Sequence, residues 1–69
     1  MVVYPKHGLK VGTIGGGTKL LEGMKRFLDN TCKVEVEYIV DVGDDLYYSF
    51  DGVPYWFHQS FFKNGVRLV

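Results

Sequence analysis

Sixty-nine residues, 46% of them apolar and 16% aromatic, with zero formal net charge, describe one globular domain spanning 1–69. That composition excludes a disordered chain, and the length excludes a second core. The lone cysteine, Cys32, excludes an internal disulfide, and no Cys/His set has zinc-ligand spacing, so no metal and no cofactor is expected.

The charge is unevenly laid out. Residues 1–33 carry six basic side chains against Glu22 and Asp29, a net +4. Residues 34–69 carry Lys63 and Arg67 against Glu35, Glu37, Asp41, Asp44, Asp45 and Asp51, a net −4. The six acids share one stretch without Lys or Arg. They are either a solvated sheet face with its turns or an electronegative patch for a basic partner. Met1–Gly12 lacks the apolar core of a secretory signal, and nothing approaches the roughly 20 apolar residues of a membrane span. With a single thiol, a cytoplasmic protein without a membrane partner is expected.

In chain order, Val2-Val3-Tyr4 is extended and is stopped by Pro5. Leu9–Ile14 alternates at the period of a half-buried strand. Gly15-Gly16-Gly17-Thr18-Lys19 is a connector, because three glycines are costly to order and the Gly-Thr-Lys order departs from a phosphate-binding loop. Residues 18–29 read as the chain's one amphipathic helix, with Leu20, Leu21, Met24, Phe27 and Leu28 on a stripe. Thr18 suits its N-cap, Asn30 a left-handed end, and Glu22/Arg26 an i,i+4 pair. Gly23 in its interior costs about 1 kcal/mol relative to alanine.

Lys33–Asp41 alternates strongly: Val34, Val36, Tyr38 and Val40 share one face, with charged residues on the other. Val42–Asp45 is a turn. Leu46–Phe50 and Val53–His58 flank Asp51-Gly52, a strong two-residue hairpin signal. Its register places Phe50 opposite Val53, Tyr48 opposite Tyr55, and Leu46 opposite Phe57 on the inner face. Tyr47 opposite Trp56 and Ser49 opposite Pro54 occupy the outer face. Pro54 has no amide to give a further strand, so the sheet is expected to be open beside it. Gln59–Lys63 reads as a tight helical turn anchored by Phe61 and Phe62, followed by a turn at Asn64-Gly65 and a last strand at Val66–Val69.

This order, with Tyr55-Trp56-Phe57-His58-Gln59-Ser60-Phe61-Phe62 running into a single turn and a closing strand, resembles the C-terminal half of small SH3-like barrels of bacterial and phage type. The resemblance covers residues 33–69. It implies a small, strongly curled antiparallel sheet of four to five strands, a partly open barrel, and hence an α+β fold once the helix at 18–29 is added. Over 18–29 the chain departs from that pattern, which carries a strand there. The resemblance implies a binding module of a kind encoded by phages or mobile elements, and no catalytic residue.

For chemistry, His7 and His58 are the only imidazoles, and spacing assembles no nucleophile–base set. Cys32 reads as a small buried thiol, and Asp41, Asp44 and Asp45 as turn acids without the spacing of a calcium loop. No enzyme is expected. The functional expectation is a protein-binding surface on Tyr47, Trp56, His58, Asp44 and Asp45, because exposed Tyr and Trp beside charge are typical interface anchors. The alternative is nucleic-acid binding through Lys10, Lys19, Lys25 and Arg26, weakened by the zero net charge. Self-association as a homodimer along the open edge is a third arrangement.

Overall fold

The computed structural model of the protein describes residues 1–15 and 18–63. They form a small α+β domain with antiparallel strands and one helix. In chain order these are β1 (Val2–Val3), β2 (Gly12–Gly15), β3 (Thr18–Leu20), α1 (Glu22–Asp29), β4 (Val34–Glu35), β5 (Tyr38–Val42), β6 (Asp45–Phe50), β7 (Val53–His58) and a 3-10 turn (Gln59–Phe61). The expected turn at Asn64-Gly65 and strand at Val66–Val69 lie outside the described residues.

Among the described residues the ladders are β1–β4, β2–β3 and β5–β6–β7. They form three separate ladders and do not close into a barrel. Single backbone bonds link the separate ladders. Pro5 bridges Phe62, the Lys6 amide donates to the Phe61 carbonyl (2.8 Å), and the Lys63 amide donates to the Tyr4 carbonyl (2.7 Å).

The helix begins at Glu22, four residues later than the expected start at 18. Thr18, Lys19 and Leu20 are a strand, pairing back on β2 with Thr13 opposite Lys19 and Gly12 opposite Leu20. Leu20 is therefore a buried strand residue, and its place on the helical stripe was a coincidence of spacing. Leu21 takes the N-cap position and has no polar side-chain atom to cap with; its own amide reaches Met24 Sδ at 3.4 Å. Asn30 ends the helix at φ −101°, outside the left-handed region. The helix end is closed by side chains instead: Asn30 Nδ2 donates to the Arg26 carbonyl (2.8 Å) and Thr31 Oγ1 to the Phe27 carbonyl (2.7 Å). The helical ion pair is Lys25–Asp29 at 2.8 Å rather than Glu22–Arg26.

The expected strand 33–41 is split. The Val36 amide donates to the Met1 carbonyl (2.7 Å), and the next amide, Glu37, donates to the Ser49 carbonyl (2.8 Å). Successive amides of an extended chain face opposite edges. Hence β1 flanks this segment on one side and β6 on the other, and the two short ladders meet at Val36-Glu37.

Gly52, at φ +77°, turns the β6–β7 hairpin, and Phe50 faces Val53 as expected. Beyond that pair the register moves by two: Tyr48 faces Phe57 and Tyr47 faces His58. Pro54, Tyr55 and Trp56 together oppose Ser49, a bulge in which the proline needs no ladder partner for its missing N–H. A two-residue slip preserves which side each residue faces. Tyr48, Phe50 and Phe57 are accordingly buried with Val3, Leu20, Met24, Leu28, Phe61 and Phe62. Phe27 stacks on Phe50 (5.6 Å between ring centroids) and meets Phe57 (5.3 Å), seating the helix on the inner face of the hairpin. Full burial of each such side chain contributes about 1.5–3 kcal/mol. Phe61 and Phe62 close the core from the 3-10 turn, as their pattern indicated.

Candidate functional site: the outer face of the three-stranded sheet

The outer face is fixed by the two turns of the β5–β6–β7 meander. Gly43-Asp44 joins β5 to β6 and places Val42 opposite Asp45, Val40 opposite Tyr47, and Tyr38 opposite Ser49. Tyr47 in turn lies opposite His58. Directly opposed residues share a face, so Val40, Tyr47 and His58 form one row across all three strands. Tyr38 and Val42 flank Val40 along β5. Trp56, two residues before His58, lies on the same side by strand alternation.

That face is open. Trp56 is 47% exposed, Tyr38 63% and Val42 57%, and Ile39 and Val40 are exposed as well. Every residue of β5 is exposed. The sequence expectation placed Tyr38 and Val40 on one face with Val34 and Val36; the structure splits that row, with Val34 and Val36 packed against the core and Tyr38 and Val40 exposed. The signal was present in the sequence: once Tyr47 is assigned outward, a two-residue turn at Gly43-Asp44 carries Val40 and Tyr38 to the same side.

Of the residues expected at the site, the structure joins three. His58 Nε2 lies 2.9 Å from Asp45 Oδ1, and the His58 ring meets Tyr47 edge-on at 5.2 Å. Asp44 sits in the turn beside Asp45, exposed. Trp56 is not opposite Tyr47, because the bulge moves it out of register.

Asp45, His58 and Ser60 make a chain that looks like a catalytic relay: Ser60 Oγ lies 2.8 Å from His58 Nδ1. Its geometry says otherwise. The Ser60 backbone N–H also points at Nδ1, at 3.1 Å, and a backbone amide can only donate. Nδ1 is therefore the acceptor, and Nε2 carries the proton given to Asp45. His58 is the N-cap of the 3-10 turn, locked in one tautomer by Asp45 on its far side. The imidazole's basic lone pair is engaged in holding the chain's own backbone.

The alternative set is spread over a loop, a strand and the helix. Lys10 lies in the loop before β2, Lys19 on β3, and Lys25 and Arg26 on α1. Lys25 is engaged with Asp29 at 2.8 Å. Cys32, expected to be buried, is exposed between α1 and β4. Among the described residues no group of three His, Cys, Asp or Glu is placed to hold a metal ion, and no helix is long and apolar enough to cross a membrane.

Comparison with protein-family models, with curated proteins and with solved structures returns no match.

Proposed function

We propose that this is a small, non-enzymatic, cytoplasmic protein-binding module, an adaptor or inhibitor, that grips another protein with the outer face of β5–β6–β7. The observation that carries the reading is the group of exposed apolar side chains Tyr38, Val40, Val42 and Trp56 on one sheet face, with half-buried Tyr47 and His58 between them. A contiguous apolar surface on so small a domain marks an interaction site. Tyr and Trp are the side chains that most often anchor one. Asp44 and Asp45 at the rim favour a partner with basic residues there.

A partly open SH3-like barrel remains the architectural reading. It is supported by the meander β5–β6–β7, the 3-10 turn after it, the Pro5–Phe62 bridge to the N-terminal strand, and that strand's ladder with β4.

Titration with generic duplex DNA and single-stranded RNA separates this reading from the alternative that uses Lys10, Lys19, Lys25 and Arg26. The protein-binding reading expects no association at low salt. Micromolar affinity with a steep salt slope overturns it.

A further inference from the structure

The strand that borders this face has a second surface that no described strand uses, its backbone edge. In a two-residue hairpin the closing pair is hydrogen-bonded, and bonded pairs alternate along the ladder. The closing pair here is Val42–Asp45, so Val42, Val40 and Tyr38 turn their N–H and C=O groups to β6; Glu37, whose amide also reaches the Ser49 carbonyl, shares Ser49 with Tyr38 in a bulge that interrupts the alternation between them. Ile39 and Asp41 turn theirs away. β6 is the only described strand that pairs with β5. On the opposite edge, β1 pairs along Val34–Val36, and no described strand lies beside Tyr38–Val42 there. Exposed edges of this kind are templates for another extended chain, and natural sheets normally blunt them with lysine, proline or a cover. Here β5 is Tyr-Ile-Val-Asp-Val, four apolar residues and one aspartate, exposed on both faces.

Charge selects the occupant. Asp41 lies on the edge strand, Glu37 immediately before it, and Asp44 and Asp45 in the turn beyond it; no Lys or Arg occurs between residues 34 and 62. A second copy pairing edge to edge would bring two such acidic strands together. An extended segment that alternates apolar and basic residues would satisfy the ladder, cover Ile39 or Val40, and offset the acids.

We propose that the edge of β5 turned away from β6 binds an extended, lysine- or arginine-bearing segment of a partner protein by strand addition, lengthening the three-stranded sheet by one strand. The inference rests on the protein-binding reading, and it names the class of partner and the mode of its recognition.

The probe is a synthetic ten-residue peptide of alternating lysine and valine, followed by Trp56 fluorescence and by amide chemical shifts. Three comparisons are made: the Glu–Val counterpart, a Lys–Val peptide N-methylated on alternate amides, and the protein variant Asp41→Pro. The proline removes an outward N–H while leaving the bonds to β6 intact. Strand addition predicts binding of the Lys–Val peptide with slowed exchange of the Ile39 and Asp41 amides. It also predicts at least tenfold weaker binding for each of the three comparisons. Equal binding of the N-methylated peptide, or shifts that bypass β5, overturns it, and that arm stands even if Asp41→Pro does not fold. Concentration-dependent sedimentation with protection at Ile39 and Asp41 in the absence of peptide also overturns it, because a second copy then holds the edge. Trp56→Ala separates the two readings. Binding lost in Trp56→Ala but kept by the N-methylated peptide retains the face and removes the edge. Binding kept in Trp56→Ala but lost on N-methylation retains the edge and removes the face.

Discussion

A Cβ added to Gly23 would overlap the hydroxyl of Tyr55 and come within 2.8 Å of its Cζ. The glycine that looks like a defect in the helix is what lets α1 sit down on β7. Tyr55 then meets Phe57 edge-on at 6.0 Å, so the contact runs into the aromatic core. In an exposed helix interior Gly→Ala gains about 1 kcal/mol. Here Gly23→Ala is expected to destabilise by about 1–3 kcal/mol, the range for overpacking a close-fitting contact. Denaturant melts of Gly23→Ala, Tyr55→Ala and the double variant check this. The alanine at 23 should become neutral or stabilising once the Tyr55 ring is gone.

Tyr48 is fully buried, and among the described residues its hydroxyl has no hydrogen-bond partner. Burial alone pushes its phenol above the ordinary value. A buried donor without a partner carries a desolvation cost, so removing the hydroxyl removes the cost. Tyr48→Phe is expected to match or exceed wild-type stability, by up to about 1 kcal/mol in a urea titration. A loss larger than that would mean the hydroxyl is satisfied in solution.

Asp29 ties the helix end to the loop before β2. Its carboxylate accepts from Lys25 Nζ at 2.8 Å and from the Gly8 amide at 3.0 Å. The Lys25 hydrogen bond, then the Gly8 one, holds its pKa below the usual 3.8. A carboxyl whose folded pKa is depressed contributes fully above its unfolded value, and the contribution is lost as pH falls through the folded value. The stability difference between wild type and Asp29→Asn should therefore be constant at neutral pH and shrink below 3.8. Thermal melts across that range read it, and the effect is small because the pair is solvent-screened.

His58 is expected to act on the turn. His58→Ala removes the cap on Ser60 and should cost about 1 kcal/mol, in the range of other lost N-caps. Asp45→Asn keeps an acceptor for Nε2 and should cost much less. Chemical unfolding of the two variants distinguishes this from a surface role, in which both substitutions would be neutral.

The hairpin at Asp51-Gly52, the 3-10 turn with its paired phenylalanines, and the division of 46–58 into inner and outer residues were legible from turn chemistry and alternation. The start of the helix was not. Leu20 and Leu21 satisfy a helical stripe equally well whether they are helix or the end of a strand, and only the pairing of β3 with Gly12 and Thr13 decides. The bulge at Pro54–Trp56 was also hidden, because a slip of two residues leaves the pattern of buried and exposed side chains unchanged. The outward row of β5 was hidden for the opposite reason. Its alternation is strong, but the row changes side at Glu37-Tyr38, where both residues oppose Ser49, so Val34 and Val36 pack on the core while Tyr38 and Val40 do not.

The most direct test of the account is photo-crosslinking in the native cell from a benzophenone side chain at Tyr47, beside an identical probe at Lys25 on the helix. A protein-binding outer face predicts a discrete protein adduct from position 47, lost when Trp56→Ala is added, and none from position 25. Adducts of equal yield from both positions, or adducts to nucleic acid from position 25 alone, would contradict it.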